Sequence, residues 1–135
     1  MKYLALIIFS ILFSHSSYSQ TDTTTRKWYY IDSTITGDRW YHYYKPISKE
    51  DEKIKIWIKI KTKNYEFEGD PYPNAYIILL AIIDCKNQLI KVTSSTTYQY
   101  DGKVLEANNF EDAKFNVIYP ESISETAANE ICRNF

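Results

Sequence analysis

Residues 75–85 read AYIILLAIIDC, and no other run constrains the chain as strongly. Asp84 carries its only charge, and Ile and Leu fill both alternating faces, so as a strand it offers neither face to water. The β-branched content favours a strand over a buried helix, and the run falls well short of the ~20 residues a membrane helix needs. A central strand covered on both sides is the expectation. Cys85 closes it, and the only other cysteine is Cys132, near the C-terminus.

The clearest alternation lies just upstream. In KIKIWIKIKTK, residues 53–63, Ile54, Ile56, Ile58 and Ile60 alternate with Lys53, Lys55, Lys59 and Lys61, giving one core face and one wet face. Trp57 falls on the lysine face. There it either shields lysine stems or, with Lys55 and Lys59, offers a surface to a partner. Two aromatic runs, KWYYID at 27–32 and RWYHYYK at 39–45, flank the turn residues Thr36, Gly37 and Asp38 and predict a hairpin. Trp28 and Tyr30 share one face of it. In the second strand Trp40, His42 and Tyr44 share one face and Tyr41 and Tyr43 the other, and the pattern leaves open which is wet. Trp40, Tyr41 and Tyr43 therefore join Trp57, Lys55 and Lys59 as candidate binding residues.

The rest of the chain is read from its punctuation. Residues 48–52 (SKEDE) and 66–74 (EFEGDPYPN) are expected as loops. Lys86, Asn87 and Gln88 turn the chain back into an antiparallel strand over 89–100, and Asp101-Gly102 signals a two-residue hairpin into a strand starting at 103–105. Residues 106–114 are expected to be irregular and 115–119 to be a short extended piece stopped by Pro120. Ser122 and Glu125 form a capping-box pattern opening a helix over 122–132, with Ile123, Ala127, Ala128, Ile131 and Cys132 on one face. The fold class is α+β: a single antiparallel β-sheet of about five to six strands with one C-terminal helix packed on it.

With 135 residues the chain holds one folded domain, expected over 27–135. Lys2, the apolar residues 3–13 and the small polar residues 14–20 predict a signal peptide over 1–19, cleaved after Ser19, with 20–26 as a flexible lead-in. An uncleaved anchor is the alternative, but the apolar run is short for a span. No cysteine stands immediately after the cleavage site, so no lipobox is seen and the protein is expected to be exported, periplasmic or extracellular. Export permits a disulfide, and Cys85 with Cys132 is the single intramolecular pairing. A metal site built on the two cysteines is the weaker alternative, because His42 is the one histidine of the mature chain and neither cysteine has a second ligand at useful spacing.

Loss of Lys2 with the leader leaves 15 basic residues against 17 acidic ones, so no basic excess calls for nucleic acid. No nucleophile with a base, positioned carboxylate pair or metal cluster is visible. His42 and Asp84 read as structural, and the chain's three glycines leave little room for a phosphate loop. Neither cofactor nor metal is expected.

Trp28, YHYYKPIS, KIKIWIKIK, DCKNQLIKVTSSTTYQYDGKVL and NVIYPESISETAANEIC follow one another in an order that resembles the surface-adhesin protein E family of small exported bacterial domains. The resemblance spans about residues 27–132 and is most specific in the D-C-K-N strand, the Y-x-x-D-G turn and the I-x-P-x-S-I helix entry. It implies an antiparallel sheet under a C-terminal helix, joined cysteines, no enzymatic activity and binding of an extracellular or cell-surface protein. The alternative is a carbohydrate or small-ligand module using Trp28, Trp40, Tyr41, Tyr43 or Tyr44.

Overall fold

The structure, a computed structural model, describes residues 27–135. The expected signal peptide over 1–19 and lead-in over 20–26 lie outside the described residues. The chain runs β1 (Trp28–Ser33), β2 (Arg39–Tyr43), β3 (Ser48–Glu50), β4 (Lys53–Lys61), β5 (Glu66–Phe67), β6 (Asp70–Pro71), β7 (Tyr76–Asp84), β8 (Leu89–Tyr98), β9 (Val104–Asn109), β10 (Asn116–Val117) and α1 (Ile123–Asn134).

The main sheet has eight strands in the order β1-β2-β4-β7-β8-β10, with β3 also on β4 and β9 also on β8. Every pairing is antiparallel. The sheet is larger than the expected five to six strands because short strands share the edges of long ones. β2 takes the Lys59–Lys61 end of β4 and β3 its Lys53–Lys55 end. Likewise β9 and β10 divide the free edge of β8.

Three expected loops contain strand. Ser48–Glu50 pairs with β4 through a turn in which Asp51 and Glu52 both hold positive φ, 48° and 60°. That is the twist a two-residue hairpin demands, which Asp tolerates well and Glu seldom adopts. Within residues 66–74, 66–71 fold into the separate β5–β6 ribbon, turned at Glu68 and Gly69. Residues 106–109, expected to be irregular, continue β9 against Ser94–Thr97. Their polarity suits a pairing of two half-wet strands, which composition cannot tell from a loop. The Asp101-Gly102 turn is also longer than expected: Gln99 N–H donates to the Lys103 carbonyl (2.8 Å) across it, leaving three residues between, with Gly102 at φ 92°.

The core lies on one face of the sheet. Ile54, Ile56 and Ile58 of β4, with Ala81 and Ile83 of β7, meet Ala128 and Ile131 of α1 and Ile118, all buried. Ser122 caps the helix, its Oγ accepting from Glu125 N–H (3.1 Å). The return half of the box reaches one residue further back, since the Glu125 carboxylate accepts from Glu121 N–H (2.8 Å). Cys85 and Cys132 meet at disulfide distance, Cα atoms 5.8 Å apart, where the end of β7 passes under the last turn of α1. At the C-terminus Lys49 Nζ donates to the Phe135 carbonyl, and the Phe135 ring stands edge-on to His42.

Asp84, buried at the β7 end, takes the side-chain amide and the backbone N–H of Asn87 on its two oxygens, each at 2.9 Å. These two bonds, with Lys53 further off, outweigh desolvation and hold its carboxyl below the usual carboxylate range. A depressed folded pKa adds stability that is present above the unfolded value of about 4 and is lost as pH falls through the folded value. Chemical denaturation between pH 6 and pH 2 is expected to show an acid limb below about pH 4 that is shallower in Asp84→Asn. An identical limb in both proteins would show that Asp84 does not contribute.

The central strand departs from expectation on its second face. Ile78, Leu80 and Ile82 are half-buried, and no layer of the described residues lies over them. The helix covers one side of the sheet and leaves the other open.

Candidate functional site

Side chains of directly paired residues in an antiparallel sheet stand on the same face, so register defines what the open face displays. Across it run Ser48, Lys55, Ile82 and Lys91 in one row. The next holds Trp57, Leu80 and Ser94, extended by the Trp28–Tyr43 pair. A third holds Tyr30, Tyr41, Lys59, Ile78 and Thr96. The last holds Arg39, Lys61, Tyr76 and Tyr98. The face is thus a sheet of aromatic and aliphatic side chains crossed by cations.

Its aromatic rings pack on one another and under lysines. Trp28 meets Tyr43 edge-on at 5.2 Å, and Tyr30 meets Tyr41 edge-on at 5.7 Å. Lys59 Nζ lies over the Tyr76 ring (4.5 Å) and the Trp28 ring (5.5 Å), and Lys91 Nζ over Phe115 (4.9 Å). Partial burial, with Lys61 close by, lowers the pKa of Lys59. Tyr76 and Tyr98 stack at 4.9 Å and 12° between planes, and burial, Tyr98 and Asp101 together raise the Tyr76 pKa.

Of the six residues singled out in the sequence, Lys55, Trp57, Lys59 and Tyr41 stand on this face by register, and Tyr43, just past the last β2–β4 pair, meets Trp28 edge-on while also packing against the core. Trp40 does not stand on it. It pairs with Ile60 on the helix side and packs on the core, so alternation along β2 separates it from Tyr41 and Tyr43. His42, also on the helix side, is 3% exposed. Its Nδ1–H donates to the Tyr43 carbonyl (2.8 Å), and its ring stacks on Tyr29 and meets Phe135. The histidine is a packing residue, held among Tyr29, Phe135 and the Tyr43 carbonyl.

One end of the open face deepens into a cavity of about 990 Å³ bounded by Arg39, Lys59, Lys61, Lys63, Tyr76 and Tyr100. Sequence reasoning missed Arg39, Lys61, Lys63 and Tyr76 as a group. The lysine alternation in β4 was visible, but only the β2–β4 register sets Arg39 opposite Lys61. Gly37, at φ 92°, completes the wall: a Cβ there would stand 3.3 Å from Lys63 Cδ. Among the described residues no group of three His, Cys, Asp or Glu side chains could hold a metal ion. No described helix is long and apolar enough to cross a membrane.

Compared with known proteins, residues 18–133 match the family model described as Surface-adhesin protein E. No curated protein matches the chain.

Proposed function

The chain belongs to the surface-adhesin protein E family, and on that premise we propose that it is an exported, non-enzymatic domain that binds an extracellular or cell-surface protein through the open face of its sheet. Family membership accords with a surface or exported location and with an adhesin-like role. The observation that carries the choice of surface is the uncovered face itself. Trp57, Leu80, Ile78 and Ile82 form a continuous half-exposed apolar strip, with Lys55, Lys59 and Lys91 beside it. Contiguous apolar surface left uncovered marks an interaction site more often than scattered exposed residues do. Trp and Tyr are enriched at interface centres, and polar side chains surround them at the rim.

The rings favour a protein partner over a sugar stacked on Trp and Tyr. Trp28 meets Tyr43 and Tyr30 meets Tyr41 edge-on, so neither pair forms the coplanar platform on which a sugar ring stacks.

Purified matrix and serum proteins arrayed on a biosensor test the reading. At least one is expected to bind, and Trp57→Ala to weaken that binding tenfold or more, about 1.4 kcal/mol. Tyr119→Ala, at an exposed residue before the helix, is expected to change it less than about twofold. A bound protein indifferent to Trp57→Ala would place the interface elsewhere.

A further inference from the structure

The chain carries a net negative charge, yet Arg39, Lys59, Lys61 and Lys63 line one cavity whose wall includes no carboxylate. Among the described residues none of the four forms an ion pair. Asp38, in the adjoining turn, directs its carboxylate to Lys63 N–H (3.0 Å) and Thr36 Oγ (3.3 Å) and pairs with none of the four. Asp101, close to Tyr76, accepts from Lys103 N–H (3.1 Å). Like charges gathered on one wall repel one another, and the Lys59 pKa is lowered first by burial and then by Lys61. Such a cluster is relieved by an anion.

The geometry selects the kind of anion. A single phosphate is held by backbone N–H groups at a helix start or a glycine nest. Here the cations come from three segments: Arg39 opposite Lys61 on neighbouring strands, Lys59 about 7 Å along β4 on the same face, and Lys63 beyond the strand end. The cavity, about 990 Å³, has the volume of several sugar units more than of one small ion. The ligand therefore carries anionic groups spaced along an extended chain. Tyr76, stacked on Tyr98, and Tyr100, 78% exposed, add hydroxyl-bearing rings along the same wall, suited to sugar rings and their hydroxyls.

We propose that this cavity binds a sulfated acidic polysaccharide, its sulfate groups on Arg39, Lys59, Lys61 and Lys63 and its sugar rings against Tyr76 and Tyr100. The site goes beyond the protein-binding reading in both ligand and location, although Lys59 borders both surfaces.

Calorimetric titration of the purified protein with heparin-derived oligosaccharides at about 0.15 M salt tests it. Binding is expected, weakening as salt rises through release of condensed counterions. Desulfated oligosaccharides of the same length should bind at least about tenfold more weakly, and so should the double variant Lys61→Gln/Lys63→Gln with heparin. The double variant should also lower the slope of log K against log salt by about two. The same change at Lys86 and Lys114, at the far end of the sheet, should alter affinity less than about twofold. Circular dichroism confirms that each variant is folded. No binding of heparin, equal binding of the desulfated chain, or an equal loss from the remote pair would overturn the proposal. So would matched-charge oligonucleotide or polyphosphate binding as tightly as heparin. The matrix-protein experiment alters Trp57 and this one Lys61 and Lys63, so either can fail while the other stands.

Discussion

Serine in place of Cys85 or Cys132 is expected to lower stability by about 2–5 kcal/mol, a large share of what a domain of this size possesses. The two residues are 47 apart in sequence, and in the chain-entropy model closing such a loop removes about 4 kcal/mol of unfolded-state entropy. The bond would join the end of β7 to the last turn of α1, and the helix has few other anchors. Of its residues only Ala127, Ala128 and Ile131 are buried, and two of those three are small. Helix loosening should therefore precede loss of the sheet. Hydrogen exchange on either variant is expected to show amides of α1 exchanging well before those of β4 and β7. Denaturant titration gives the stability change, and mass spectrometry of the unreduced protein tests the bond directly. Two free thiols in the purified protein, or a serine variant as stable as the parent, would remove the premise.

Ile56→Ala should cost about 3 kcal/mol, whereas Leu80→Ala, on the next strand, should cost less than about 1.5. Ile56 is fully buried on the helix side opposite Ala81, and the small partner leaves little side chain to collapse into the space a truncation makes. Leu80 lies opposite Trp57 on the open side and is already part wet, so truncating it returns less surface to water and leaves no closed cavity. The pair differ in face more than in chemistry. Urea midpoints for both variants provide the measurement. Equal costs would mean that the second face is covered after all.

Much of the fold was legible because its strong signals were local. The Ile/Lys alternation of β4, the apolar run of β7 and the Ser122 cap each encode their own geometry in a few neighbouring residues. What escaped was the set of strands that exist only by pairing. Ser48–Glu50 and the polar end of β9 have loop composition and take their structure from the edges of β4 and β8. The same holds for the candidate site. Trp57 beside the lysines could be read from alternation, but the exclusion of Trp40 depended on which face the helix would take. Alternation fixes two faces without saying which is covered. The apolar residues of β7 misled for a related reason: Ile78, Leu80 and Ile82 suggested burial on both sides, and they line a face that the described chain leaves open.

That open face is the centre of the account, and hydroxyl-radical footprinting of the protein, free and bound to whichever matrix or serum protein it holds most tightly, tests it most directly. Trp57, Tyr43 and Leu80 are expected to be labelled in the free protein and protected in the complex, with Ile56 and Ile83 unlabelled in both and Tyr119 labelled equally in both. Labelling of Trp57, Tyr43 and Leu80 that the bound partner leaves unchanged would contradict it.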